Sequence, residues 1–152
     1  MNSTVKEFNQ LVEKINSAYH DFATACGMSD ADFLVLYSLL AHEGSCRQSV
    51  LYHETGQPKS TINTSVQRLQ RQGVLLVTKG DKRNTLVSLT KEGRCLAERT
   101  AGVLIAAEDR FYSSIPAGDA DIFLRVNRQY LSALQESVQR QKKAPQGEPA
   151  EF

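Results

Sequence analysis

The chain has 152 residues, 41% of them hydrophobic, with 18 basic and 17 acidic side chains and a net charge of +1. That content is too apolar for a disordered chain and fits one compact protomer, while no apolar run approaches the ~20 residues of a membrane span. Cys26, Cys46 and Cys95 are odd in number and include no Cys-x-x-Cys pair, which argues against a disulfide framework. Residues Met1 to Gln10 lack the basic-then-apolar pattern of a secretory signal, so a cytoplasmic protein with reduced thiols is expected.

Val5, Phe8, Val12, Ile15, Tyr19 and Phe22 recur at spacings of 3, 4, 3, 4 and 3, one apolar stripe on a helix from about Thr4 to Ala25. Gly27 breaks it. Ser29 with Asp32 three residues on is a capping-box-like start for a second helix with Phe33, Leu36, Leu39 and Leu40 inward, stopped at Gly44. Arg47 to Glu54 is expected as a short third helix. Gly56 can take positive φ in the turn Thr55-Gly56-Gln57, and Pro58 suits the first position of a fourth helix. That helix is expected over 58–72, ending at Gly73.

The period then changes from 3.6 to 2. Val74 to Lys79 and Thr85 to Thr90 are β-branched and apolar, and the short loop Gly80 to Asn84 predicts a hairpin. From Lys91 a fifth helix carries Leu96, Thr100, Val103, Leu104, Ala107 and Phe111. Ile115-Pro116-Ala117-Gly118 interrupts it, and Asp119 is expected to cap a sixth helix bearing Phe123, Val126, Tyr130, Leu134 and Val138. Residues 141–152, rich in Pro, Gly and polar side chains, read as a flexible tail.

Charge is concentrated in one place. Residues 57–83 hold Lys59, Arg68, Arg71, Lys79, Lys82 and Arg83 against Asp81, a net +5, so everything outside them sums to −4. A helix sized for the DNA major groove beside a basic hairpin is the build of a winged helix-turn-helix, with positive charge where phosphate would be met.

Here the chain resembles the MarR (multiple antibiotic resistance regulator) family of bacterial transcription factors. The segment Asp81-Lys82-Arg83-Asn84-Thr85-Leu86-Val87-Ser88-Leu89-Thr90, followed by Lys91-Glu92-Gly93, fits that family's wing: Asp-x-Arg, alternating apolar residues, then Leu-Thr and a nearby Gly. Lys59-Ser60-Thr61-Ile62 to Arg68-Leu69, ending at Gly73, is similar to its recognition helix, and the element order over about 4–140 is also the family's. The resemblance implies a mainly α protein with a small β-hairpin wing, acting as a DNA-binding, ligand-responsive repressor. It implies one protomer over 1–140, with dimerisation helices at 4–25 and 91–140, a winged-helix DNA-binding lobe at 30–90, and a tail at 141–152. The expected partners are double-stranded DNA, a second copy of the chain and a small-molecule effector, with no cofactor, metal or membrane.

With Ile62, Val66 and Leu69 buried, Ser60, Asn63, Thr64 and Gln67 face the opposite way. Such side chains can hydrogen-bond base edges, Asn and Gln pairing with adenine N6 and N7; alone they would be only a solvated helix face. Thr61 belongs to the same segment. Lys59, Arg68 and Arg71 flank it as phosphate contacts. Lys82 and Arg83 lie at the wing (79–85), Arg83 as the minor-groove residue and Asp81 as its buttress through a charge-assisted bond. Relatives bind small anionic molecules between the dimer helices and the DNA-binding lobe, which makes Tyr19, His20 and Tyr37 candidate effector contacts, with ordinary core packing as the rival reading.

Three alternatives remain open at this point. An enzyme is disfavoured, since His20, His42 and His53 are scattered and no Ser-His-Asp set, HExxH or phosphate loop appears. A sensor could use His42, Cys46 and Cys26 for a metal, or a Cys46 thiol activated by Arg47, against the blander reading of a small buried cysteine. A winged domain used for protein contacts would show no salt-dependent DNA affinity.

Overall fold

A computed structural model describes residues 2–81 and 84–143. Its elements in chain order are α1 (Ser3–Ala25), α2 (Asp30–Ala41), β1 (Ser45–Arg47), α3 (Gln48–Glu54), α4 (Lys59–Arg71), β2 (Leu75–Thr78), β3 (Leu86–Leu89), α5 (Lys91–Arg99), α6 (Ala101–Ser114) and α7 (Ala117–Lys143). They form two compact units, one up to Ala107 and one from Glu108 onward, with the boundary inside α6.

The first unit is built around α2. Its sequence is apolar on nearly every side, as expected of a helix buried within a domain. Phe33, Val35, Leu36 and Leu39 meet Leu51 of α3, Ile62, Val66 and Leu69 of α4, Val87 of β3, Ala97 of α5 and Ala101 of α6, all buried. Each of the larger side chains contributes about 1.5–3 kcal/mol by leaving water. The last turns of α1 cover one flank, where Phe22 meets Phe33 edge-on at 5.6 Å between centroids. The stripe expected along the whole of α1 therefore divides. Tyr19 and Phe22 pack on the core, whereas Val5 and Ile15 are exposed, together with Leu11.

Local chemistry sets the ends of α2. The Ser29 hydroxyl accepts from Asp32 N at its start. At its end Glu43 and Gly44 take positive φ, 58° and 99°, and Gly44 N returns to Leu39 O at 2.7 Å. Arg94 of α5 reaches across, its Nη2 donating to Glu43 O at 2.8 Å.

The sheet has the order β1-β3-β2 and is antiparallel throughout. Cys46 pairs with Val87 and Leu75 with Leu89, while Ser45, Leu76 and Ser88 align on the other face. The sequence predicted two strands, and β1 is the addition. It takes Arg47 out of the expected third helix, which begins at Gln48. Three residues are too few to show a period, so β1 exists only because β3 offers it a partner.

Four other boundaries differ from expectation. Pro58 precedes α4 as its cap (ψ 141°) instead of opening it, consistent with an extended residue feeding the first turn. The fifth helix breaks at Thr100 (φ −116°, ψ −93°), whose hydroxyl donates back to Leu96 O at 2.7 Å, a competition that bends helices. Pro116, not Asp119, anchors the start of α7, its carbonyl accepting from Asp119 N at 2.9 Å and Ala120 N at 3.2 Å. α7 also runs on to Lys143, past the expected edge of the tail; residues 144–152 lie outside the described residues.

In the second unit α7 buries no residue. Ile122, Phe123, Leu124, Val126, Leu131, Leu134 and Val138 are 44–53% exposed, and Tyr112 lies between Phe111 and Phe123 at 5.3 and 6.4 Å. No helix among the described residues is long and apolar enough to cross a membrane.

Candidate nucleic-acid interface

At about 100° per residue, α4 turns Ile62, Ser65, Val66 and Leu69 into the core. The opposite meridian carries Ser60, Thr64, Gln67 and Arg71, all exposed. Lys59, Asn63 and Gln70 form the flank towards α3, and Thr61 and Arg68 the flank towards α2. The Thr64 hydroxyl donates to Ser60 O at 3.0 Å, which leaves its lone pairs outward as acceptors. Gly56, with φ 64°, makes the turn that aims the first residues of α4.

The two flanks are held differently. Towards α3, Asn63 Oδ1 accepts from Gln48 Nε2 at 2.8 Å and from the Tyr52 hydroxyl at 2.5 Å. Burial raises the Tyr52 pKa, which keeps the hydroxyl a donor. The Lys59 ammonium lies 5.7 Å from the same ring's centroid, a cation–π distance. Gln48 and Tyr52 were not singled out from the sequence. They sit in a short helix with no pattern of their own, and their role appears only through what they touch on α4.

Towards α2 the group at the centre is Asp32, which is buried. Its carboxylate accepts from the Ser65 hydroxyl, and from Arg68 through Nε at 3.0 Å and Nη2 at 2.7 Å. Arg68 Nη2 also donates to the Ser29 hydroxyl at 3.1 Å. Arg68, expected to hold phosphate, thus spends its fork on Asp32. The hydrogen bonds and charge of that carboxylate push its pKa further up. Its first role is to fasten α4 to the start of α2.

The wing is fixed at its base. Gln48 N donates to Thr85 O at 2.9 Å and Leu89 N to Gly44 O at 2.8 Å. The Thr90 hydroxyl donates to Gly73 O at 2.6 Å and caps α5 by accepting from Gly93 N. A Cβ on Gly93 would stand 1.9 Å from Val74 O, so the chain entering β2 and the first turn of α5 meet there without room for a side chain. Lys79 and Asp81 are exposed towards the tip. Lys82 and Arg83, and with them the expected Asp81–Arg83 pair, lie outside the described residues.

Of the expected effector residues, Tyr19 and His20 line a cleft of about 420 Å³ with Asn16, Asp30, Phe33 and Gln57. His20 Nδ1 is 2.9 Å from Asp30 Oδ1 at its edge. Tyr37 does not line this cleft; its ring packs against Phe33 at 6.4 Å between centroids.

Burial favours the blander reading of Cys46 over the thiol alternative. Cys46 points inward from β1 and its pKa is pushed up to about 11, by desolvation first and by the charge of Glu54 second. Arg47 lies on the outer face and does not activate it. His42 Nε2 is instead 2.7 Å from Glu54 Oε1, while the Ser38 hydroxyl donates to the other oxygen of the same carboxylate. Here serine meets the acid and not the imidazole, so the three residues tie α2 to α3 without forming a nucleophile–base pair. No group of three or more His, Cys, Asp or Glu that could hold a metal ion occurs among the described residues.

Residues 27–84 match the model of the MarR family. No curated protein matches the chain by sequence. Among solved structures, a MarR family regulator from Neisseria meningitidis is 22% identical, covers 94% of this chain and 100% of its own, and has a TM-score of 0.74. The PcaV transcriptional regulator from Streptomyces coelicolor, solved with its natural ligand, is 24% identical over 88% of this chain and 98% of its own, with a TM-score of 0.60. MepR from Staphylococcus aureus in its DNA-binding conformation is 14% identical over 88% and 99%, with a TM-score of 0.70. The chain therefore has the winged-helix fold of MarR family regulators, and its residues 27–84 carry that family's sequence pattern.

Proposed function

We propose that this chain is a transcriptional regulator that binds double-stranded DNA as a homodimer, with α4 in the major groove and the wing at the minor groove. The observation that carries the reading is the outward meridian of α4. Short neutral hydrogen-bonding groups, Ser60, Thr64 and Gln67, run down its centre with Arg71 at its end. Base edges are read by such groups and phosphates by the cations beside them. The exposed apolar residues of α1 and α7 support a two-fold dimer, which would set two copies of α4 about one DNA turn apart, ~34 Å. The cleft lined by Tyr19 and His20 supports a small-molecule effector that releases DNA, the behaviour of a repressor, and PcaV offers the precedent of a natural ligand on this fold.

The test is a titration on duplexes from the chromosomal region beside the gene and on scrambled ones, at several salt concentrations. Gln67→Ala should cost about 1–3 kcal/mol on the specific site and little on scrambled DNA. Arg71→Ala should weaken both and lower the salt slope by about one unit. Affinity independent of salt would replace this reading by that of a protein-contact module. Sedimentation should give a dimer at micromolar concentration, and Val12→Asp with Ile15→Asp should release monomers, because charge would enter a desolvated surface.

A further inference from the structure

Asn63, on the flank of α4 beside its outward meridian, is an amide whose carbonyl is already taken. Gln48 Nε2 and the Tyr52 hydroxyl both donate to Oδ1, at 2.8 and 2.5 Å. An amide oxygen has two lone pairs, so its accepting capacity is filled. Among the described residues no acceptor engages Asn63 Nδ2. Asn63 is partly exposed on the α3 flank of α4, at the edge of the outward face.

An unencumbered asparagine recognises adenine by accepting from N6–H and donating to N7 together. With the carbonyl filled, the first half of that pair is lost and two N–H donors remain. The major-groove edge that offers two adjacent acceptors is guanine, through N7 and O6. Resting on the DNA-binding reading above, we propose that Tyr52 and Gln48 are positioning residues which turn Asn63 from an adenine reader into a donor selecting guanine. Tyr52 acts twice, since its ring also holds the Lys59 ammonium at the same flank.

The experiment is binding-site selection from a randomised duplex pool, read by sequencing, with the full chain and four variants: Asn63→Ala, Tyr52→Phe, Gln48→Ala, and the last two combined. Tyr52→Phe keeps the ring and its contact with Lys59 while deleting the hydroxyl donor. Asn63→Ala should erase the preference at one position of each half-site, where the unaltered chain selects guanine. Freeing the carbonyl in the combined variant should swing that position towards adenine, changing the guanine-to-adenine ratio by roughly tenfold, the lower-middle range for one bidentate pair. Adenine selected by the unaltered chain at that position would overturn the proposal, as would guanine retained by the combined variant. A loss of affinity spread evenly over all sequences, with the base profile unchanged, would make Tyr52 a purely structural residue and would also overturn it. If no salt-dependent duplex binding is found at all, the DNA-binding reading falls, and this proposal with it.

Discussion

Replacing Asp32 by alanine removes the acceptor that joins α2 to α4. Ser65 is 1% exposed, so its hydroxyl would lose its partner with no water to substitute, at a cost of about 1–3 kcal/mol. The Arg68 side chain is 40% exposed, so the ion pair is partly screened and adds only about 0.2–1 kcal/mol. Asp32→Ala should therefore destabilise by about 2–3 kcal/mol. Ser65→Ala alone deletes one bond and leaves Asp32 with Arg68, which should cost about 1 kcal/mol. In the double variant the stranded hydroxyl is absent, and the second substitution should be nearly neutral, giving a coupling of about 1 kcal/mol. Urea unfolding measures all three, at one fixed protein concentration because a dimer's midpoint depends on it. Additivity within about 0.3–0.5 kcal/mol would refute the argument, since Asp32 and Ser65 would then act independently.

Gly93→Ala should cost more than about 3 kcal/mol, beyond the usual range of single substitutions, because the new Cβ meets a backbone carbonyl and not a flexible side chain; denaturant midpoints of the two proteins check this. Glu43→Gly should stabilise by about 0.5–1 kcal/mol, since φ 58° strains any residue with a Cβ, and an unchanged or lower denaturation midpoint would refute this; the Arg94 bond goes to the Glu43 carbonyl and is kept by glycine. Burial alone would raise the Glu54 carboxyl, but bonds from Ser38 and His42 and the His42 charge outweigh it and lower the pKa. A depressed carboxylate pKa adds stability above its unfolded value of 4.5 and loses it as pH falls through the folded one. Thermal midpoints of Glu54→Gln between pH 6 and 3 should accordingly fall less steeply than those of the unaltered chain.

The parts of this fold that were legible in the sequence are those where chemistry is local. Ser29 before Asp32 and Gly73 after Arg71 mark helix ends by themselves, and the change of period after Gly73 announces the wing. β1 and the break at Thr100 were not legible, because each depends on a partner remote in sequence or on a hydroxyl choosing a carbonyl over solvent. The same division runs through the candidate interface. Ser60, Thr64 and Gln67 follow from helical period alone, since Ile62 and Leu69 must be inside. Arg68 and Asn63 do not. Their side chains are claimed by Asp32, 36 residues away in sequence from Arg68, and by Tyr52, 11 from Asn63, and nothing in the local pattern distinguishes a claimed polar group from a free one.

The anchoring of the wing has a mechanical consequence. Four separate elements end on β3 or its flanks: the turn after α2 at Gly44, the start of α3 at Gln48, the end of α4 at Gly73 and the start of α5 at Gly93. Opening β3 thus means opening the core, and its amides should exchange with deuterium as slowly as those of α2, in one cooperative unit. A lobe of that kind behaves as a caliper whose two jaws, α4 and the wing, keep a set gap. On the DNA-binding reading, the duplex must supply the compliance, and sequences whose groove widths already match the gap will be bound more tightly even at base pairs that no side chain touches.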